Sequence, residues 1–188
     1  PEAALTELGV AQEMGCSQGT VREALLRLQE DGLVLRNGHQ GTAVTPLDAD
    51  AATEMLLLRR QMETRAAPRA ARAATSEILE KLAFLVRDME RSAAENDEYG
   101  LIELDTRFHM TIFQLSGFRA LDQMLQRAIL HTHRQKLWEP RHHRSLMHTA
   151  QRHRPIIAAL SQGGEALSAA LGEHIDTIVD ITPERLAS

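Results

Sequence analysis

At 188 residues, with 43% hydrophobic and 25% charged residues, the chain falls in the soluble globular class and has room for one large domain or two small ones. No apolar run approaches the ~20 residues that span a bilayer and no charged-then-apolar leader is read at the start; the single cysteine, Cys16, excludes an internal disulfide framework and fits a reducing cytoplasm. The net charge of −5, with three Arg against six acids in residues 1–46, lacks the basic footprint of a DNA reader, so motifs must carry that function if the chain has it.

Aromatics make up only 3%, so the core is built from Leu, Ala, Ile, Val and Met, a composition that favours helix. The spacing of Leu5, Leu8 and Ala11 predicts a helix over 5–14, stopped by Gly15, with Thr6 and Ser17 as N-caps. A second helix is expected over 18–31, with Val21, Ala24, Leu25 and Leu28 on one face and Gly32 ending it. Leu33-Val34-Leu35 and Thr42-Ala43-Val44 read as strands around an Asn37-Gly38 hairpin turn. Helix, turn, helix and hairpin in this order make a winged helix-turn-helix over residues 1–46. After a linker at Pro46–Asp50, helical periods are expected near 49–73, 76–95, 97–116, 118–137, 144–161 and 164–181. Joined by short loops, these make an antiparallel helical bundle over residues 47–188, so the fold class is mainly α.

In a helix-turn-helix the second helix enters the major groove and presents the side chains near its N-terminus. Those are Ser17, Gln18, Gly19, Thr20 and Arg22, with Arg36, His39 and Gln40 on the wing. Arg22 suits guanine's two acceptors or a phosphate, and the hydroxyl and amide side chains suit bases or backbone. The same geometry also occurs in folds that never touch DNA. The wording of the segment is more specific. Leu5-Thr6-Glu7, then CSQGTVREAL over 16–25, then LQEDGLV over 28–34 resembles the GntR family of bacterial transcription regulators. The resemblance implies a homodimer on a pseudo-palindromic double-stranded operator, more often a repressor than an activator. It covers the domain except for the family's first helix, missing ahead of Pro1. Gln18 and Leu8 stand where the family often carries Arg, so Arg22 alone remains of three arginines often used on DNA.

Eight of the nine histidines lie beyond residue 100. Asp105 and His109, four apart, share a helix face beside the apolar line Leu101, Leu104, Phe108, Ile112 and Leu115. His153 stands in register with Ile157 and Leu160, and His174 with Leu167, Leu171 and Ile178. A carboxylate and three imidazoles aimed inward are costly to bury without partners. Either hydrogen bonds among themselves satisfy them, or one divalent ion does, Zn²⁺ first with Mn²⁺, Ni²⁺ or Fe²⁺ as alternatives.

Asp105-Thr106-Arg107-Phe108-His109 followed by Leu115-Ser116-Gly117 resembles the signature of the FCD domain, the FadR-type effector domain of the same family. His153–Leu160, His174 and Leu58–Glu63 resemble its later histidine helices and its start; Phe118 replaces the Asn expected after Gly117. The resemblance implies that Asp105, His109, His153 and His174 are metal ligands, and that the effector is a small carboxylate held by the ion with an Arg nearby. Arg59 and Arg134 are the candidates for that Arg, with His133 a further pocket candidate; each also reads as ordinary helix-face charge. The other histidines, among them His142 and His143, read as surface. The rival reading is a metal-dependent enzyme on a helical bundle. It accounts for the Asp/His set but not for the VREAL segment, and the chain has neither HExxH nor the paired Glu-x-x-His motifs of a di-iron site.

Overall fold

The computed structural model describes residues 3–36, 41–138 and 145–178. The expected hairpin turn at Asn37-Gly38, the wing residues His39 and Gln40, and the pair His142-His143 lie outside them. The chain divides into two compact units, Pro1–Ala49 and Asp50–Ser188.

The first unit runs β1 (Ala4–Leu5), α1 (Glu7–Met14), α2 (Gln18–Glu30), β2 (Val34–Arg36) and β3 (Thr42–Val44). Its three strands are antiparallel in the order β1-β3-β2, with Leu5 opposite Thr42 and Leu35 opposite Ala43. The helix starts follow local chemistry. Thr6 accepts the Gly9 N–H at 3.0 Å and Ser17 accepts the Thr20 N–H at 3.1 Å, each satisfying an end donor that the helix cannot. Gly32, at φ +74°, lets the chain turn left-handed after α2, and the Leu33 N–H then closes on the Leu28 carbonyl at 2.8 Å. Leu5 is a strand residue rather than the first residue of a helix, because the cap at Thr6 sets the start of α1 after it. Ala11, Val21, Leu25 and Val34 form this unit's core. Leu8 of α1 and Ala24 and Leu28 of α2, expected inward by periodicity, are exposed, because packing within this unit covers only a narrow stripe of each helix, Ala11 on α1 and Val21 and Leu25 on α2.

The second unit is helical: α3 (Ala49–Ala73), α4 (Ser76–Ala94), α5 (Glu98–Gln114), a 3-10 turn (Arg119–Leu121), α6 (Asp122–Trp138), α7 (Leu146–Gln151), α8 (Arg154–Gln162) and α9 (Gly164–Asp176). Thr75 and Asp97 cap α4 and α5 through the Ile78 and Gly100 N–H groups. Leu82, Leu85, Val86 and Met89 of α4 pack with Leu101, Phe108 and Ile112 of α5, and Ile156, Leu160, Leu167 and Leu171 close the same core from α8 and α9. Two expected helices differ. The span 118–137 opens as a 3-10 turn, and the span 144–161 is two helices broken at Arg152–His153. The break follows from Pro155, which has no N–H to offer the carbonyl four residues back and whose ring crowds it; the residue therefore serves at the second position of a new helix.

α9 lies antiparallel along α3 at very short range. A Cβ built on Gly164 would lie 2.5 Å from the Pro68 Cα, and one on Gly172 would meet Arg60 and Thr64 at 3.3 and 3.7 Å. Further along, Arg60 bonds Asp176 at 2.6 Å. Among the described residues no helix is long and apolar enough to cross a membrane.

Candidate metal centre and DNA-reading surface

α5, α8 and α9 bring Asp105, His109, His153 and His174 together in the buried interior, with ligand-type atoms all within 4.8 Å of one another. Asp105 and His109 arrive as a pair because four residues make about one turn of α5. His153 arrives through the break, at the cap of α8, rather than from mid-helix. His133 of α6 joins them: its Nε2 lies 2.9 Å from Asp105 Oδ2, and His153 Nε2 lies 3.0 Å from Oδ1. His109 Nε2 faces His174 Nε2 at 3.3 Å.

The hydrogen-bond inventory of this cluster fits a cation. Neutral imidazole carries one N–H. His153 has an acceptor at each ring nitrogen, the Ala150 carbonyl at Nδ1 (3.1 Å) and Asp105 at Nε2 (3.0 Å). One of those contacts therefore lacks a proton unless the ring is charged or an ion stands at the Asp105 side. Two donors each ~2.1 Å from one ion lie at most ~4.2 Å apart, so the widest pair, at up to 4.8 Å, would have to draw in by about half an ångström. Side-chain rotation covers that distance.

Charge is arranged to keep the nitrogens bare. Burial lowers the pKa of His174 well below the usual histidine value, with His153 and His109 beside it adding to the effect. Burial also lowers that of His109, against the pull of Glu63. For Asp105, burial pushes upward, but His133, His153 and His109 outweigh it and hold the carboxyl well below its ordinary range. Asp105 is thus favoured as carboxylate, and His109 and His174 as neutral imidazoles, the forms that coordinate metals.

α3 supplies two more buried groups. Arg59, fully buried, donates from Nε to Glu63 Oε1 at 2.8 Å, and its Nη2 lies 3.8 Å from Asp105 Oδ2. Both terminal nitrogens of Arg59 lack a hydrogen-bond partner, as does His133 Nδ1. Glu63 Oε2 takes the Nδ1–H of His109 at 2.6 Å. Glu63 closes the Leu58–Glu63 motif, which by itself assigns it no role. The signal for it is a charged pair at i,i+4 on the inward stripe of Leu56, Ala66, Ala67 and Ala70. His133, the further pocket candidate, is buried. Arg134, the next residue on α6, is only partly buried, and its pKa is lowered by that burial. A pocket of about 260 Å³ is lined by His174 together with Arg152, Pro155, Ile156, Glu173 and Thr177.

In the first unit, Ser17, Gln18, Thr20 and Arg22 are all exposed at the start of α2. Ser17 and Thr20 hydroxyls bond one another at 2.9 Å, so part of their capacity is spent on the cap. Arg22 is engaged by Glu7, Nε reaching both carboxylate oxygens at 3.1 Å and Nη2 one of them at 2.8 Å, while Arg36 reaches Glu7 at 3.1 Å.

The comparisons with known proteins agree with both units. Residues 1–44 match the bacterial regulatory proteins of the gntR family, and residues 54–177 match the FCD domain. The Nta operon transcriptional regulator of Aminobacter aminovorans is 25% identical over 96% of this chain and 87% of its own length. An HTH-type transcriptional regulator of Bacillus subtilis, YdhC, is 27% identical over 67% of this chain, a stretch that spans only 57% of that relative. The solved structure of E. coli McbR/YncC superposes with a TM-score of 0.81 at 22% identity, covering 99% of this chain and 89% of that one, which shows a shared fold. The matched families are those of regulators rather than enzymes. The chain is a transcriptional regulator of the GntR family, built from a winged helix-turn-helix and a helical FCD domain.

Proposed function

We propose that the protein is a homodimeric repressor whose hold on a pseudo-palindromic operator is released by a small carboxylate bound beside a divalent ion in the FCD unit. The observation that carries this reading is the buried set Asp105, His109, His153 and His174 with the terminal nitrogens of Arg59, which make no hydrogen bond, next to it. Those four residues would hold the ion, Zn²⁺ first, which when bound supplies an electropositive open position for an acid group. Arg59 contributes a fixed guanidinium fork matched to a carboxylate, His133 offers a further ring nitrogen, and the surrounding apolar helices exclude water. Arg134 is the next arginine to test.

Ser17, Gln18, Thr20 and Arg22, with His39 on the wing, are the residues assigned to DNA. α3, which carries Arg59 and Glu63, follows directly on the linker from the DNA-reading unit. A ligand that prefers one of two dimer arrangements shifts operator affinity by that preference and no more. The test is elemental analysis of protein purified without chelators, followed by operator binding with and without small carboxylates. Ion at one equivalent per chain, and carboxylate-sensitive operator binding that Arg59→Met abolishes, supports the reading. Protein that takes up no ion from Zn²⁺, Mn²⁺ or Ni²⁺ refutes it.

A further inference from the structure

We propose that Glu63 is the positioning residue of the centre, fixing His109 from behind so that Nε2 is bare toward the other ligands. This rests on the ion-binding reading above but concerns a residue outside the ligand set. Both of its oxygens are engaged away from the cluster, Oε2 by His109 Nδ1 at 2.6 Å and Oε1 by Arg59 Nε at 2.8 Å. An ionised carboxylate only accepts hydrogen bonds, so the single proton of a neutral His109 must sit on Nδ1. A metal-binding imidazole oriented through its other N–H is a recurrent arrangement, and a carboxylate partner raises its basicity.

The three histidines of the set are held unequally on their outer nitrogens. His109 has a carboxylate, His153 has the Ala150 carbonyl at 3.1 Å, and His174 Nδ1 has no partner. His109 is thus the imidazole whose tautomer is fixed most firmly, and Glu63 is what fixes it. Arg59 works in the opposite sense. Its guanidinium balances Glu63, yet its Nη2 stands 3.8 Å from the ligand Asp105, where a positive charge opposes a cation.

This opposition gives a test that simple loss of packing cannot imitate, because Glu63→Gln and Arg59→Met break the same buried ion pair. The full-length chain is stripped with a chelator, and Zn²⁺ affinity is measured by competition. Glu63→Gln should bind Zn²⁺ about 10–100-fold more weakly than wild type, while Arg59→Met binds it as tightly or more tightly. Both variants weakened alike, or Glu63→Gln within twofold of wild type, would overturn the proposal. Should Glu63→Gln fail to fold, ¹⁵N spectra of the imidazoles in stripped wild-type protein decide instead. His109 with its proton on Nδ1 supports the role, and a proton on Nε2 refutes it. Wild-type protein that binds no Zn²⁺ but shows the Nδ1–H tautomer would sink the ion and leave the orienting role of Glu63 standing.

Discussion

Removing one ligand side chain gives a quantitative test of the centre. His174 is 5% exposed, reaches the cluster from α9 and has no partner on Nδ1. His174→Ala therefore costs stripped protein a cavity and one weak imidazole contact, and costs loaded protein a ligand as well. An ion that binds only the folded state stabilises it by about 4.1 kcal/mol at a free concentration 1,000 times its Kd. Losing a direct ligand should weaken affinity at least as much as losing an orienting partner, for which ~100-fold is the upper range. At the same free Zn²⁺ the variant then sits near 10 Kd and gains only about 1.4 kcal/mol, so the ion's contribution falls by about 2.7 kcal/mol. For a helical unit of this size that is about 5–10 °C in Tm. The assay is calorimetric melting of wild type and variant, each stripped and each with buffered Zn²⁺. The double difference cancels the cavity, which weakens both forms. If Zn²⁺ raises the Tm of His174→Ala as much as that of wild type, the four residues are not the ion's site.

Stability of stripped protein should fall with acid. His109 and His174 have lowered folded pKa values, so between the ordinary histidine value near 6.5 and those folded values the unfolded chain binds more protons. The stabilising contribution is present above pH ~6.5 and declines below it by up to ~1.4 kcal/mol per pH unit for each histidine. That of Asp105, lowered as well, is lost only at more acid pH, below the ordinary aspartate range; denaturant midpoints flat from pH 7.5 to 5 would contradict the directions given for the two histidines. In the DNA-reading unit, Arg22→Ala should weaken operator binding by about ten- to a hundredfold. Glu7→Gln, which frees Arg22 and Arg36, should strengthen non-specific binding and steepen its salt dependence; unchanged salt slopes would show that the pairs open at no cost on DNA. Gly164→Ala should destabilise by about 1–3 kcal/mol, because backbone at Pro68 cannot yield to the added methyl, and overpacking outweighs the ~1 kcal/mol or less that alanine gains in helix propensity. A higher Tm for that variant would mean α9 can lift off α3.

Where boundaries are set by local chemistry, the sequence reads directly. Thr6 and Ser17 cap the helices they were expected to cap, and α3 spans Ala49–Ala73 as its periodicity implied. Asp105 and His109 were visible as a pair because i,i+4 neighbours share a face whatever surrounds them. His153 was found in the right place for a partly wrong reason: its register with Ile157 and Leu160 holds within the first turns of α8, but the helix does not continue back through it. Glu63 was hidden, and His133 was legible only as a pocket candidate, because their contacts exist only across helices. A charged residue on an apolar stripe reads as a solvated edge until His109, 46 positions away, is seen behind it. The exposure of Leu8 and Leu28 was hidden for the converse reason, since periodicity says which face is apolar but not how much of it is covered.

The glycine contacts between α9 and α3 bear on which ions such a centre would accept. His174 is carried by α9, and the group that braces His109 is carried by α3. Gly164 and Gly172 set how far these two helices stand apart, backbone against backbone or nearly so. The gap between the two imidazoles is therefore framed by main chain at Gly164 and Pro68, and by the Arg60, Thr64 and Glu63 side chains beyond them. Such a frame gathers the donors before an ion arrives, and their type does the selecting: imidazole nitrogens with one carboxylate oxygen suit an ion that takes nitrogen at ~2.0–2.1 Å rather than the all-oxygen shell of a harder cation.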